Sequence, residues 1–314
     1  MNVGKYILRR VLLMIPIVLG VATLSFVLMK LAPGDPAAAY LGDKATPEAV
    51  AQLRHAWGLD QPMIIQYFQF LGGLFVGDFG RSFIFQTTVL ELLKLRMPAT
   101  LMLMLVSLIF AVVISVPLSL WVAATKSAAS AIVSRVFTAT VQGMPAFFVG
   151  TLLILVLGVN TGLFPVGGYG SSLGEHLYSL VLPGIVVALT ICPVLIRSLT
   201  AALNDSLSAE YTNFAASKGL SRSKIVRNYA FRNAGITGIS ILGIQVGHLV
   251  GGALVVENVF AIPGVGSLLM EAVLARDYNV VQALTVIFGV LVVLVYLLTD
   301  IVYSLVDPRV RLGA

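Results

Sequence analysis

From Val11 to Met29 the chain carries no charged side chain, and runs of this kind recur along its length. About twenty apolar residues make a helix long enough to cross the ~30 Å hydrocarbon core of a bilayer. Each backbone polar group is then satisfied inside the helix. Six such spans are expected. They lie at about Val11–Leu31, Ala99–Ala124, a third beginning after Arg135, then Leu177–Ile196, Ala234–Val256 and Val280–Leu298. The third is kinked at Pro145 and ends at Pro165 and "GGYGSSLG". Only 11% of residues are charged, 58% are hydrophobic and mean hydropathy is +0.98. A soluble domain carries about 25% charged residues, so the fold class is an all-α integral membrane protein.

Lys5, Arg9 and Arg10 followed by an apolar run also fit a signal peptide, with Ala37-Ala38-Ala39 as a cleavage site. The run is longer than the ~7–15 residues of a signal core, so an uncleaved first span is expected. The single cysteine, Cys192, gives no intrachain disulfide.

A net charge of +6 suits either nucleic acid or inside-facing membrane loops. In a membrane chain the loops account for it, and no nucleic-acid partner is expected. With both termini cytoplasmic, 13 of the 20 Lys and Arg fall inside and seven outside. Lys94 and Arg96 run against this bias, at the end of a loop longer than roughly 60 residues, where the rule weakens.

The first loop, about 32–98, then lies outside as a small cap. Thr46-Pro47-Glu48 predicts a helix start, Val50, Leu53 and Trp57 share a face, and Gly58 ends it. "QPMIIQYFQFLGGLF" is too short to span and is expected at the interface or against the spans. Residues 1–98 form one division of the chain. Residues 99–314 form the other, a five-span core with a cytoplasmic loop at about 197–233.

Catalytic motifs are missing. There is no G-x-x-x-x-G-K-[ST] phosphate loop and no H-E-x-x-H, and His55, His176 and His248 are too dispersed to suggest a metal site. "GSSL" at Gly170–Leu173 reads as a turn. No catalytic residue, metal ligand or bound cofactor is assigned.

Polar residues inside spans are candidates for a transport pathway or for helix contacts: Gln142, Gln245 and His248 stand out. Gln245 and His248, three apart, share a neighbouring face. Gly243, Gly247 and Gly251 recur every four residues, a row that lets helices approach closely.

The loop between the fourth and fifth spans holds six of the inside basic residues. "SLSAEYTNFAASKGL" predicts a short helix capped by Ser208, with Glu210 in its first turn and Gly219 as its stop. Tyr211, Phe214, Ala215 and Lys218 make one face. Ala215, Ala216 and Gly219 give a small, flat exposed surface suited to a protein groove. The competing reading is an amphipathic loop against anionic lipid.

The pattern Tyr211-x-x-x-Ala215-x-x-Lys218-Gly219, followed by Leu220, resembles the "EAA" loop of ABC importer permeases of the dipeptide, oligopeptide and nickel class. Asn213 stands where the general loop has glutamate, and "AFRNAG" replaces its later Leu-Pro. "YILRRVLLMIP", "KLAPGDPA", "VGDFGRSF", "ENVFAIPGVG" and "DPRVR" are similar to other signatures of this class, across nearly the full length. The resemblance implies the type I ABC importer permease fold and the first of two paired permeases. Its partners would be a second homologous permease, two ATPase subunits holding ATP and Mg²⁺, an extracytoplasmic substrate-binding protein and membrane lipids. Glu257, the acid of "ENVFAIPGVG", joins Gln142, Gln245 and His248 as a pathway candidate. The implied function is peptide import across a bacterial inner membrane, with glutathione or a nickel complex as other cargoes of the class. A stand-alone secondary transporter or channel is the alternative.

Overall fold

The computed structural model describes residues 3–31, 34–42, 45–82, 84–125 and 127–306. Ala32-Pro33 of "KLAPGDPA", Phe83 of "VGDFGRSF", Lys44, Lys126 and the Asp307-Pro308-Arg309 signature with Arg311 lie outside them.

The described residues are helical, apart from turns and one isolated antiparallel bridge, Arg81 to Thr88. In chain order the helices are α1 (Val3–Leu31), α2 (Pro36–Leu41), α3 (Pro47–Ala56), α4 (Met63–Val76), α5 (Val89–Thr125), α6 (Ala128–Gly143) and α7 (Ala146–Leu153). They continue as α8 (Leu173–Ser179), α9 (Val181–Ser208), α10 (Glu210–Ser217), α11 (Arg222–Ile225), α12 (Phe231–Val259), α13 (Val265–Leu274) and α14 (Tyr278–Val306). A π-helical stretch, Ile154–Asn160, extends α7, and another, Val226–Ala230, joins α11 to α12.

Five helical segments are long and apolar enough to cross a membrane, carried by α1, α5, α9, α12 and α14. A sixth span exists only if α6 and α7 are counted together, and these meet at 102°. A kink is expected at Pro145; the structure makes a sharp corner there instead. Met144 and Pro145 are both extended (ψ 126° and 143°). Proline lacks an N–H and pushes the residue before it out of the helical region, so the helix stops and restarts.

Several helices outrun their apolar cores. α5 starts ten residues before Ala99 and takes in Glu91, Lys94 and Arg96, and its 37 residues span about 55 Å. α9 runs on to Ser208, well past Ile196. Polarity marks where a chain leaves hydrocarbon, whereas a helix continues until a residue breaks its hydrogen bonds.

Two compact units are distinguished. One is chiefly Thr100–Ile262, with α14 from Leu294 onward; the other is Leu8–Ala99 with Pro263–Val293. In the first, α9 is central, packed by α6, α7 and α12. Its Leu199 and Leu203 join Ala123, Ala230 and Ala234 in one buried cluster. In the second, Val89 and Leu92 pack with Val265, Leu268, Val280 and Leu284. Outside these cores, Leu12, Leu24, Leu105, Val113 and Phe147 are among many large apolar side chains left exposed. A bilayer satisfies such a surface, and water does not.

In the second unit, Thr46 Oγ1 accepts from Ala49 N–H at 3.2 Å, Pro47 opens α3, and Gly58 follows its end at φ +67°, as the sequence predicts. Gly170 is left-handed (φ +75°) and Ser172 caps α8, so "GSSL" is a turn and a cap. The Ser171 N–H and hydroxyl hold the Glu175 carboxyl below the usual glutamate range.

Candidate functional site

The segment between α9 and α12 is a compact hairpin of short helices. α9 ends at Ser208, Ala209 is extended (φ −70°, ψ 150°), and α10 begins at Glu210. The expected Ser208 cap is displaced. Its hydroxyl turns back to the carbonyls of Asn204 (3.2 Å) and Asp205 (3.0 Å), so it closes α9. Beyond Pro193 α9 holds no further glycine or proline, so the helix runs on to Ser208 and uses it. Thr212 secures α10 from the other side. Its Oγ1 lies 2.6–3.1 Å from the carbonyls of Ser206, Leu207 and Ala209.

Gly219 ends α10 as expected, at φ +78°. Its N–H donates to Ala216 O at 2.9 Å and Leu220 N–H donates to Ala215 O at 3.4 Å. This is the Schellman arrangement, which satisfies the last carbonyls through a left-handed residue. Nothing lies within 4 Å of a Cβ at Gly219, so the backbone conformation alone calls for glycine.

The exposed face differs from the expected one. Ala215 is buried, at 4% exposure, whereas Tyr211, Phe214, Ala216 and Lys218 are exposed. Four residues after Tyr211, Ala215 turns inward with Thr212, while Phe214 stands outside at 62% exposure. The Lys218 ammonium sits 4.6 Å from the Phe214 ring centre, and Asn233 Nδ2 donates to the Tyr211 hydroxyl at 2.7 Å. Glu210 is exposed at the helix start and Leu220 is half-buried. Arg222 then reaches the Ala123 carbonyl near the end of α5, at 3.2 Å. The hairpin is therefore fixed to the ends of α5, α9 and α12 while presenting an aromatic and basic surface.

The polar pathway candidates differ in burial and partners. Gln142, at the end of α6, is exposed and its Oε1 accepts from Arg197 at 2.6 Å. Gln245 is buried and His248 exposed, so three residues along α12 separate the two rather than joining them. Glu257 is fully buried, and Thr100 donates to its Oε1 at 2.6 Å.

The glycine row holds for two of its three members. A Cβ on Gly243 would fall 1.9 Å from Thr299 Cγ2, and one on Gly247 would fall 2.8 Å from the Tyr296 hydroxyl. Thr299 Oγ1 also approaches Gly243 O at 3.3 Å. Gly251 is exposed and meets nothing within 4 Å. Small residues permit a close approach only where a neighbouring helix lies against them, and here that contact covers Gly243 and Gly247.

Sequence reading missed two polar contacts. Arg197, at the edge of the loop expected from about residue 197, lies inside α9 and donates to Gln142 Oε1. Asp277 is buried and accepts from Ser82, a residue 195 positions away, within the second unit. An acid just before the apolar run at Val280 is a helix-start signal, and Val280 N–H does point to Asp277 Oδ1, at 3.4 Å.

Comparison with known proteins agrees with this architecture. Residues 115–312 match the family described as binding-protein-dependent transport system inner membrane component, and residues 3–104 match its N-terminal companion. The oligopeptide transport system permease protein AppB of Bacillus subtilis is 38% identical over 98% of this chain and 99% of its own length. The dipeptide transport system permease protein DppB of Lactococcus lactis is 33% identical, again covering 98% of this chain and 99% of its own. The glutathione transport system permease protein GsiC of Salmonella choleraesuis is 34% identical over the same shares. Among solved structures, an inward-facing MetNI methionine ABC transporter chain superposes with a TM-score of 0.57 at 18% identity, covering 69% of this chain and 97% of that one. That likeness shows the type I importer permease fold.

Proposed function

The chain belongs to the family of inner membrane components of binding-protein-dependent transport systems, and on that premise we propose that it is one permease subunit of an ATP-driven importer of small peptides. It crosses the bacterial inner membrane several times, with both termini cytoplasmic. Beside it stands a second, homologous permease that supplies the other half of the pathway. Two ATPase subunits bind and hydrolyse ATP with Mg²⁺. An extracytoplasmic binding protein delivers cargo. This chain performs no chemistry and holds no cofactor. Relatives named for oligopeptide, dipeptide and glutathione transport support a peptide-like cargo.

The observation that carries the reading is the α10 hairpin. Its exposed Tyr211, Phe214 and Lys218 sit on a helix whose inner side is fixed through Thr212 and Ala215. A push on the exposed face is therefore delivered to α9 and, through Asn233, to α12. That gives nucleotide-driven closure of the ATPases a bistable element to bias.

Reconstitution tests this. Proteoliposomes with both permeases, the ATPases and the binding protein should accumulate a labelled dipeptide with ATP inside. Omitting the ATPases should abolish uptake. Uptake by this chain alone on an ion gradient would contradict the reading.

A further inference from the structure

Within the unit formed by Leu8–Ala99 and Pro263–Val293 lies a cleft of about 580 Å³, bordered by α1, the first loop and the start of α14. That volume falls in the range of small-molecule sites, roughly 300–1,000 Å³. Part of its wall is aromatic, from Phe26, Trp57, Phe70 and Phe79.

One of its polar groups lacks a partner. The Tyr278 hydroxyl is buried with no hydrogen bond among the described residues. One turn further along α14, Gln282 lines the same cleft at 9% exposure, and its side-chain amide makes no hydrogen bond among the described residues. Buried polar groups in folded chains are nearly always satisfied, so the orphaned Tyr278 hydroxyl marks a place where something else can bind. Lys30 also lines the cleft. Its ammonium meets the neutral Gln66 amide and the Phe26 ring, 5.6 Å from its centre, and pairs with no carboxylate among the described residues. Asp78 lines the cleft too, with Oδ1 held by Gly80 N–H at 2.9 Å and no ion pair among the described residues. An ion pair in the wall, Arg54 to Asp35 at 3.2 Å, is already complete.

We propose that this cleft binds a small zwitterion of the peptide class. Lys30, Tyr278 and Gln282 supply donors for its carboxylate, Asp78 accepts its ammonium, and the aromatic wall covers its side chains. An ammonium and an unpaired hydroxyl donor lining one cleft are complementary to a carboxylate. An unpaired acid on the same cleft selects the opposite end. That the ligand is transported cargo rests on the peptide-import reading; that the cleft binds such a ligand does not.

Binding of dialanine to the full-length chain in lipid nanodiscs, measured by calorimetry, tests this. Saturable binding is expected, weakened about tenfold or more when the carboxylate is converted to an amide or Lys30→Met is introduced. Tyr278→Phe, which keeps the ring, and Gln282→Leu should each weaken it by a smaller factor. N-acetylation of dialanine should weaken binding to the parent chain but not to Asp78→Asn. Absence of saturable binding, or binding indifferent to Tyr278→Phe and Lys30→Met in variants that purify normally, overturns the inference. Dialanine uptake by the assembled complex without binding here would overturn this inference alone. Binding here without ATP-driven uptake would leave the cleft standing and sink the import reading.

Discussion

The hairpin at Glu210–Arg227 and the acid Glu257 belong to the same unit and follow opposite rules. The hairpin is basic, exposed and made of short helices, and its backbone is closed by hydrogen bonds of its own. Glu257 is an acid with no exposed surface, and a hydroxyl from another helix donates to it. In the hairpin, sequence leaves an aromatic and basic surface exposed. At Glu257 it specifies a contact inside the chain. Changes in the hairpin should therefore cost function more than stability, and changes near Glu257 or the glycine contact should do the reverse.

The largest effect should come from Glu257→Ala. It removes a fully buried side chain and its bond to Thr100, which costs about 3 kcal/mol. Thermal unfolding of the detergent-solubilised chain should shift down by several degrees. An unchanged melting temperature would place Glu257 with the hairpin, as a functional group rather than a structural one.

Next comes the glycine contact, which sharpens the comparison because it contains its own control. Gly243→Leu should destabilise by about 2 kcal/mol through overpacking against Thr299. Gly251→Ala, where a Cβ meets nothing, should be neutral in the isolated chain or gain up to about 1 kcal/mol of helix propensity. Equal losses at both positions, read by the same melts, would mean that the whole row is packed.

A smaller change in stability should accompany Gly219→Val. The cost is about 1–2 kcal/mol, confined to a left-handed position. Uptake should nevertheless fall sharply while insertion persists. Gly219→Asn, which tolerates that conformation, should retain most uptake. If valine and asparagine behave alike, the turn geometry is irrelevant to coupling.

These contrasts follow how the sequence could be read. Gly219 was legible because a left-handed helix stop is a local demand, and Thr46-Pro47 was legible for the same reason. The apolar spans were legible as composition. Their ends were not, since α5 and α9 carry helix through charged residues that a polarity count reads as loop. Pro145 was seen but its consequence was underestimated, because a 102° corner also depends on an extended Met144. Ala215 was placed on the wrong face, and Ser208 on the wrong helix, because both depend on where α9 stops. The Ser82–Asp277 contact joins "VGDFGRSF" to a segment 195 residues on, and no local pattern encodes such a pairing.

The smallest expected effect lies in the other unit. His55, in the last turn of α3, has its Nδ1 2.6 Å from Asp60 Oδ2, and both side chains are exposed. That hydrogen bond and the nearby negative charge raise the His55 pKa above its usual 6.5. The pair's stabilisation is thus fully present below the ordinary histidine value and fades as pH rises through the raised one. At the acid end it fades again as Asp60, whose pKa is lowered by the same bond, becomes protonated. Magnetic resonance of labelled histidine should show a midpoint above 6.5 that falls in Asp60→Asn. No change on that substitution would remove Asp60 as the cause.

The central claim is that the exposed face of α10 is where the ATPases push. Cysteine cross-linking tests it most directly. In a Cys192→Ser background, Phe214→Cys and Ala216→Cys, both exposed, are paired with cysteines along the ATPase groove in the assembled complex. The account predicts efficient cross-links from both positions, formed from the cytoplasmic side and changed in yield by ATP. It also predicts loss of ATP-driven uptake once the link is made. Absence of any cross-link to the ATPase from either position, in a complex that still transports, would contradict it.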